Sequence, residues 1–393
     1  MKLSSNNLFH YLLAVGICQE HDRELIKINF KPSKGRNNLI YLTIRLPSNH
    51  QLFIKQERHY HSSDNNNQIK KEWQFQRFLR NSHDLDYTSF SNLEITHFDE
   101  INSILIYKCL NNFIDIENYY ITQKKNLTRI AELIGITLMY LHRQTLNSWN
   151  CYKFMNEVVD GKSRYQFPYP EYLLDKVTIE SLAEYFIPQG NSFLALYQHS
   201  ESLRVAVTEL VAARHHCCLT HNNLQLNNIL IPRHWEKLLS QAEQSNKSII
   251  KLINWENCSW GDPAFDLGTA IASYLLLWLN SSIMHPAIPL EKSLQLATIP
   301  LEVIQPSIVA LTSSYISGFP KVLEERPDFL KKIIQFTGLA LIYKIIELIQ
   351  SFQSFNNQGI STLQLAKSLL CRPEESFKSV FGMTESALIE LIL

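Results

Sequence analysis

The chain has 393 residues, 45% of them hydrophobic and 19% charged, with 37 lysines and arginines balanced by 37 aspartates and glutamates. That length accommodates two lobes with sizeable cores, and the balanced charge gives no electrostatic reason to expect a nucleic-acid partner. The seven cysteines are dispersed with no C-x-x-C pair, which argues against a disulfide framework or a zinc site and for reduced thiols in a cytoplasmic protein.

Residues 8–18 are apolar, but only Lys2 precedes them as a positive charge and a charged amphipathic pattern resumes at 21–24. This predicts a short packed helix rather than a signal peptide. Residues 26–30, 39–46 and 51–56 read as three strands joined by turns at 32–38 and 46–50, a meander with one face to cover. The covering helix is predicted over 67–81, where Ile69, Trp73, Phe75, Phe78 and Leu79 fall largely at helical spacing, after a polar loop at 61–67. Two more strands are expected at 93–97 and 104–108, and Leu110, Asn111 and Asn112 close the β-rich region.

Beyond that point the pattern is mostly helical. Residues 127–144 carry a broad apolar face, 146–170 read as irregular and aromatic, and helical patterns resume over 173–186 and 193–213. Short strands are predicted at 228–232 and 249–253. The apolar run 267–279 is shorter than the roughly 18 to 20 residues that cross a bilayer, so it is expected to be a buried helix and no membrane partner is expected. The domain reading is a β-rich lobe over residues 1–109 and a helical lobe over 110–393, an α+β chain.

Phosphoryl transfer in the kinase manner uses a strand lysine, a helix glutamate that orients it, a catalytic loop and a metal carboxylate on the next strand. Lys55 sits near the end of the third predicted strand and Glu72 lies in the following helix. Residues 221–230 fit the loop H-G-D-L-H-x-x-N-I-L, and residues 253–267 fit I-D-W-E followed by G-D-P-x-x-D-L. Together these segments resemble the aminoglycoside phosphotransferase and choline kinase-like family, relatives of the protein kinases. The resemblance implies a two-lobed fold with a small antiparallel sheet and a large helical lobe, ATP and Mg²⁺ as cofactors, and phosphorylation of a hydroxyl. It sets the turn at 34–38, with Gly35 and Asn38, over the phosphates, and residues 135–142 as a helix ending in Leu-His.

The same resemblance exposes departures. Asn228 matches the family's metal-binding asparagine, and His221 and Asp266 are retained, Asp266 as a brace for the catalytic loop. Asn223, however, stands where the family has its catalytic aspartate, and Asn254 where it has the main Mg²⁺-binding aspartate. Asn222 replaces a glycine and Gln225 a second histidine. An amide at 223 can orient a hydroxyl but not accept its proton, a loss on the order of 10² to 10⁴ in rate. Mg²⁺ usually takes one or two protein carboxylates, and positions 228 and 254 offer none. Glu256 would lie on the same side as residue 254 of a regular strand, as a replacement metal ligand. Asp262, before Pro263, suits a helix cap.

Three readings stay open. The first is a pseudokinase that binds a nucleotide, a peptide or a partner protein without efficient transfer. The second is an active ATP-dependent phosphotransferase on a small-molecule or peptide hydroxyl, using Glu256, and the third a kinase fold adapted to another transfer such as nucleotidylation. Acidic and basic residues are mixed in the acceptor region, which argues against a polycationic antibiotic, and aromatics cluster at 152–172.

Overall fold

The computed structural model describes residues 1–23, 27–31, 39–45, 51–57, 68–82, 94–108, 110, 112–123, 127–156, 188–245, 248–282, 290–352 and 355–392. The small lobe is a five-stranded antiparallel sheet of β1 (Lys27–Lys31), β2 (Leu39–Arg45), β3 (Gln51–Glu57), β4 (Ile95–Asp99) and β5 (Ile104–Lys108). Its spatial order is β1-β2-β3-β5-β4. In β3 and β5 the alternation of side chains assigns each residue to a face. Leu52, Ile54, Ile104 and Ile106 pack with Leu8, Phe9, Tyr11 and Leu12 of helix α1 (Leu8–Ala14). The opposite face brings Leu105, Tyr107 and Phe53 against Ile69 and Trp73 of α2 (Gln68–Asn81). The sheet is therefore covered on both faces, whereas the sequence assigned it one cover.

Strand β6 (Phe113–Asp115) follows with α3 (Ile116–Thr122), whose N-cap Asp115 accepts from the Asn118 backbone N–H at 2.9 Å. Helix α4 (Leu127–Thr145) is the first large element of the helical lobe, and α5 (Trp149–Asn156) lies inside the stretch expected to be irregular. The helix expected at 193–213 is two helices, α6 (Pro188–His199) and α7 (Glu201–Ala212), with Ser200 outside helical geometry at φ −97°, ψ 83°. A serine at that point favours a helix start over a helix interior.

The segments that carry the motifs form two small sheets. β7 (Cys218–Thr220) pairs antiparallel with β10 (Ser259–Gly261), and β8 (Ile229–Pro232) lies between β6 and β9 (Lys251–Leu252). Helix α8 (Trp235–Ser245) sits between β8 and β9 in sequence. Helix α9 (Pro263–Ser281) is buried along most of its length, as its apolar run demands, with Asp262 as N-cap and Pro263 in its first turn. The remaining helices are α10 (Leu290–Gln295), α11 (Leu301–Gly318), α12 (Lys321–Glu325), α13 (Phe329–Phe352), α14 (Asn357–Cys371), α15 (Pro373–Phe381) and α16 (Glu385–Ile392).

Helix α4 packs on α11, and α13 packs on both α9 and α14. One continuous core runs through these helices and takes in Phe75 and Leu79 from α2, so α2 joins the sheet to the helical lobe. The architecture is two-lobed and kinase-like. Among the described residues no helix is long and apolar enough to cross a membrane. The expected turns at 32–38 and 46–50, the loop at 61–67, the helix at 173–186 and most of the aromatic cluster at 152–172 lie outside the described residues, and so do Gly35 and Asn38.

Candidate active site

The candidate residues converge from three places. Lys55 lies in β3 opposite Leu105 of β5 and, by alternation, points toward α2. Its Nζ donates to Glu72 Oε1 at 2.8 Å and Oε2 at 2.6 Å, and to Glu256 Oε2 at 3.3 Å. All three side chains are buried, Lys55 to 1% exposure and Glu72 to 0%. Burial opposes the lysine's charge, but Glu256 and Glu72 outweigh it and raise its pKa. Burial likewise raises the Glu72 pKa, against the pull of Lys55, and Glu256 adds to the rise. The Tyr107 ring lies under the ammonium, 5.8 Å from Nζ to centroid.

The segment 221–228, expected as a catalytic loop, is held from below by Asp266. Its Oδ2 accepts from the His221 backbone N–H at 2.8 Å and its Oδ1 from the Asn222 N–H at 2.7 Å. His142, at the end of α4, reaches the same carboxylate through Nε2 at 3.1 Å, while its Nδ1 meets the Tyr315 hydroxyl at 3.0 Å. The His221 ring is bonded through Nε2 to the Ile253 carbonyl at 2.9 Å and packs against Trp255, the rings tilted by 55° with centroids 4.4 Å apart. Asn222 has φ +61°, a left-handed geometry that asparagine tolerates better than most residues and that a glycine takes freely. Its side chain turns away from the loop, Nδ2 donating to Asn257 O and Ser259 Oγ, both at 2.8 Å.

Asn254 and Asn228 bond side chain to side chain, Asn254 Nδ2 donating to Asn228 Oδ1 at 2.6 Å, and Asn228 Nδ2 donates to the backbone carbonyl of Asn223 at 2.8 Å. These orientations are mutually fixed. A carbonyl partner requires Asn228 to present its nitrogen there, which leaves its oxygen to accept from Asn254. The oxygen that would face a metal is thus capped by an N–H. Asn254 Oδ1 is buried without a hydrogen-bond partner among the described residues. The Asn223 side chain accepts from Gln225 Nε2 at 2.9 Å, and Gln225 in turn meets Lys344 Nζ at 3.0 Å and Glu347 Oε2 at 3.3 Å on α13.

Glu256 corrects one sequence expectation. Asn254 adopts φ +66° and Trp255–Asn257 form a 3₁₀ turn, so the two-residue alternation of a strand ends at β9. Glu256 is carried to Lys55 rather than to the side of Asn254. Among the described residues no group of three or more His, Cys, Asp or Glu side chains could hold a metal ion. The donor set fits Mg²⁺ poorly: Asn228 Oδ1 already accepts a hydrogen bond, and the unpartnered Asn254 Oδ1 is a neutral amide oxygen where the ion usually takes a carboxylate. It fits ATP phosphates poorly as well, because the lysine that would meet them already faces two carboxylates.

Asp262 caps α9 through the Ala264 N–H at 3.0 Å and receives both guanidinium nitrogens of Arg326, at 2.7 and 3.1 Å. Neither Arg326 nor Lys344 belongs to a motif, and only the folded chain brings them to the site. His142 was visible as the end of a Leu-His helix, without its partner. His216 bonds the Trp260 carbonyl through Nδ1, and Cys217 and Cys218 are buried.

No family model matches this chain, and no curated protein matches it. Solved structures do. The amicoumacin kinase hAmiN, in complex with AMP-PNP, Ca²⁺ and its ligand Ami, is 13% identical over 92% of this chain and 93% of its own, with a TM-score of 0.52. The structure of the gentamicin–APH(2″)-IIa complex is 13% identical over 95% and 97%, with a TM-score of 0.50. At these identities the likeness is one of fold.

Proposed function

We propose that the chain is a pseudokinase of the aminoglycoside phosphotransferase and choline kinase-like family, holding a nucleotide, a peptide or a partner protein in the cytoplasm without efficient phosphoryl transfer. The carrying observation is the Asn254–Asn228 amide pair, in which Asn228 Oδ1 accepts from Asn254 while its Nδ2 donates to the Asn223 backbone carbonyl. A kinase site gains most of its rate from metal ions and fixed electrostatics at the transferred phosphoryl group. Here the metal-facing oxygen is capped and the base position is a hydrogen-bonded amide. The residues that remain bind and orient rather than transfer. Asp266 and His142 hold the loop backbone, Asn223 can present its amide to a hydroxyl, and the Lys55–Glu72 pair fixes α2 against the sheet. The free cysteines among the described residues support the cytoplasmic placement.

The test is phosphate release and thermal shift of the purified protein with ATP, with and without Mg²⁺. The expected result is no Mg²⁺-dependent stabilisation and no turnover above background. Mg²⁺-dependent turnover that disappears in Lys55→Ala would overturn the reading.

A further inference from the structure

Glu256 lies on the 3₁₀ turn after β9, in the helical lobe, and Lys55 lies on a strand of the small lobe, 201 positions earlier in the chain. The turn packs against α2, and Trp255 beside it contacts Phe75 of α2 at 4.8 Å between ring centroids. This fixes the backbone next to Glu256 and delivers its carboxylate to the ammonium at 3.3 Å, with both side chains only 1% exposed. Glu72 approaches the same nitrogen with both oxygens, at 2.6 and 2.8 Å. The ammonium has three N–H bonds, and it makes three hydrogen bonds to carboxylate oxygens here.

We propose that Glu256 is an intramolecular occupant of the phosphate-facing end of Lys55, so that this lysine selects against nucleoside polyphosphates instead of recruiting them. Two features make Glu256 rather than Glu72 the displaceable partner. Glu72 binds through two oxygens at short range, while Glu256 uses one at longer range. Glu72 also comes from α2, packed on the same sheet as Lys55, whereas Glu256 comes from the other lobe. A polyphosphate reaching Nζ must displace the Glu256 carboxylate and then sit beside it, both anionic in a desolvated place. The inference rests on the pseudokinase reading and narrows it, removing nucleoside polyphosphates from the ligands and leaving a peptide or a partner protein.

The experiment uses ATP in EDTA as probe, followed by calorimetric binding on the full chain and on Glu256→Gln, which keeps the side chain's shape and its capacity to accept from Lys55. The expected result is a gain in ATP affinity on the order of tenfold or more in the variant, with circular dichroism unchanged. Equal affinity in a folded variant would overturn the proposal. A second measurement needs no variant: acylation of Lys55 in the wild-type protein, read by mass spectrometry. It should be slow and indifferent to ATP. If ATP slows it further, the ammonium is already open to phosphate and the proposal is wrong. Mg²⁺-dependent turnover by the wild type would instead overturn the pseudokinase reading, and it is scored separately.

Discussion

Replacing the Asn254 amide by a carboxylate would remove the donor that Asn228 Oδ1 receives at 2.6 Å and set two oxygens against each other. Asn254→Asp should therefore destabilise the metal-free protein by about 1–3 kcal/mol. It should also create a response to Mg²⁺ that the wild type lacks, with urea unfolding midpoints moving upward on Mg²⁺ addition only in the variant. Asn223→Asp added to it supplies the missing base. Because Glu256 still occupies Lys55 in that double variant, phosphate release is expected only when Glu256→Gln is added to it, and the phosphate-release assay decides it. His221 gives a pH signature. Burial lowers its pKa below 6.5, outweighing Asp266 and the Ile253 carbonyl. A depressed native pKa means that the stability of the neutral ring is fully present above the unfolded value and is lost as pH falls through the native one. The stability difference between wild type and His221→Gln should thus shrink from about pH 7.5 to about pH 5. A constant difference across that range would show that His221 does not titrate with folding. At this scale His221, Asn223, Asn228, Asn254 and Asp266 were legible as site candidates through the family resemblance of their two segments. The resemblance left out that the Asn254 and Asn228 amides bond one another, because the orientation of residue 254 depends on its left-handed backbone.

Two glycines lie where helices approach closely. A Cβ on Gly135 of α4 would collide with the Leu311 carbonyl oxygen and the Ser314 hydroxyl of α11, and one on Gly268 of α9 would lie 2.8 Å from the backbone of Phe336 and Thr337 on α13. In both cases the obstacle includes backbone. Gly135→Ala and Gly268→Ala should each cost about 1–3 kcal/mol, even though alanine is the better helix former, and denaturant unfolding at fixed m-value is the check. The elements themselves were largely legible. The strands β1, β2, β3 and β5 and the helices α2 and α4 fall within a residue or so of their predicted limits, since alternation or helical spacing runs through each. Strands β6, β7 and β10 have three residues each, too few for a period-two signal to rise above chance. Helix α5 was missed because its buried residues are only Cys151 and Met155, not enough for an apolar stripe. The second cover of the sheet escaped because α1 shows its apolar face but not what it packs on.

The lobes are joined through Trp255. Its ring, fully buried, packs on Phe75 of α2 and on His221 of the loop, and its Nε1 donates to the Leu252 carbonyl at 3.0 Å. Trp255→Ala should cost about 3–5 kcal/mol and should raise amide exchange in α2 and in residues 221–228 together. Exchange rising in only one of them would show that the ring belongs to a single lobe. Asp262 and Arg326 make a second long-range tie, between the start of α9 and the segment joining α12 to α13. Arg326→Met should leave a buried carboxylate uncompensated and cost about 3–5 kcal/mol. Such ties were not legible in the sequence, since no local pattern marks the partners of a contact 64 residues apart. Lys55 has a further bearing on how the whole chain reaches its native form. On β3 it alternates with Leu52 and Ile54, which sit among Leu8 and Leu12 of α1. A slip of β3 by one residue would exchange the faces and thrust an unpaired ammonium among those leucines, at a cost of several kcal/mol. The lysine thus acts as a registration mark for the sheet, selecting one strand alignment over its neighbours during folding, and that service persists whether or not a phosphate ever reaches it.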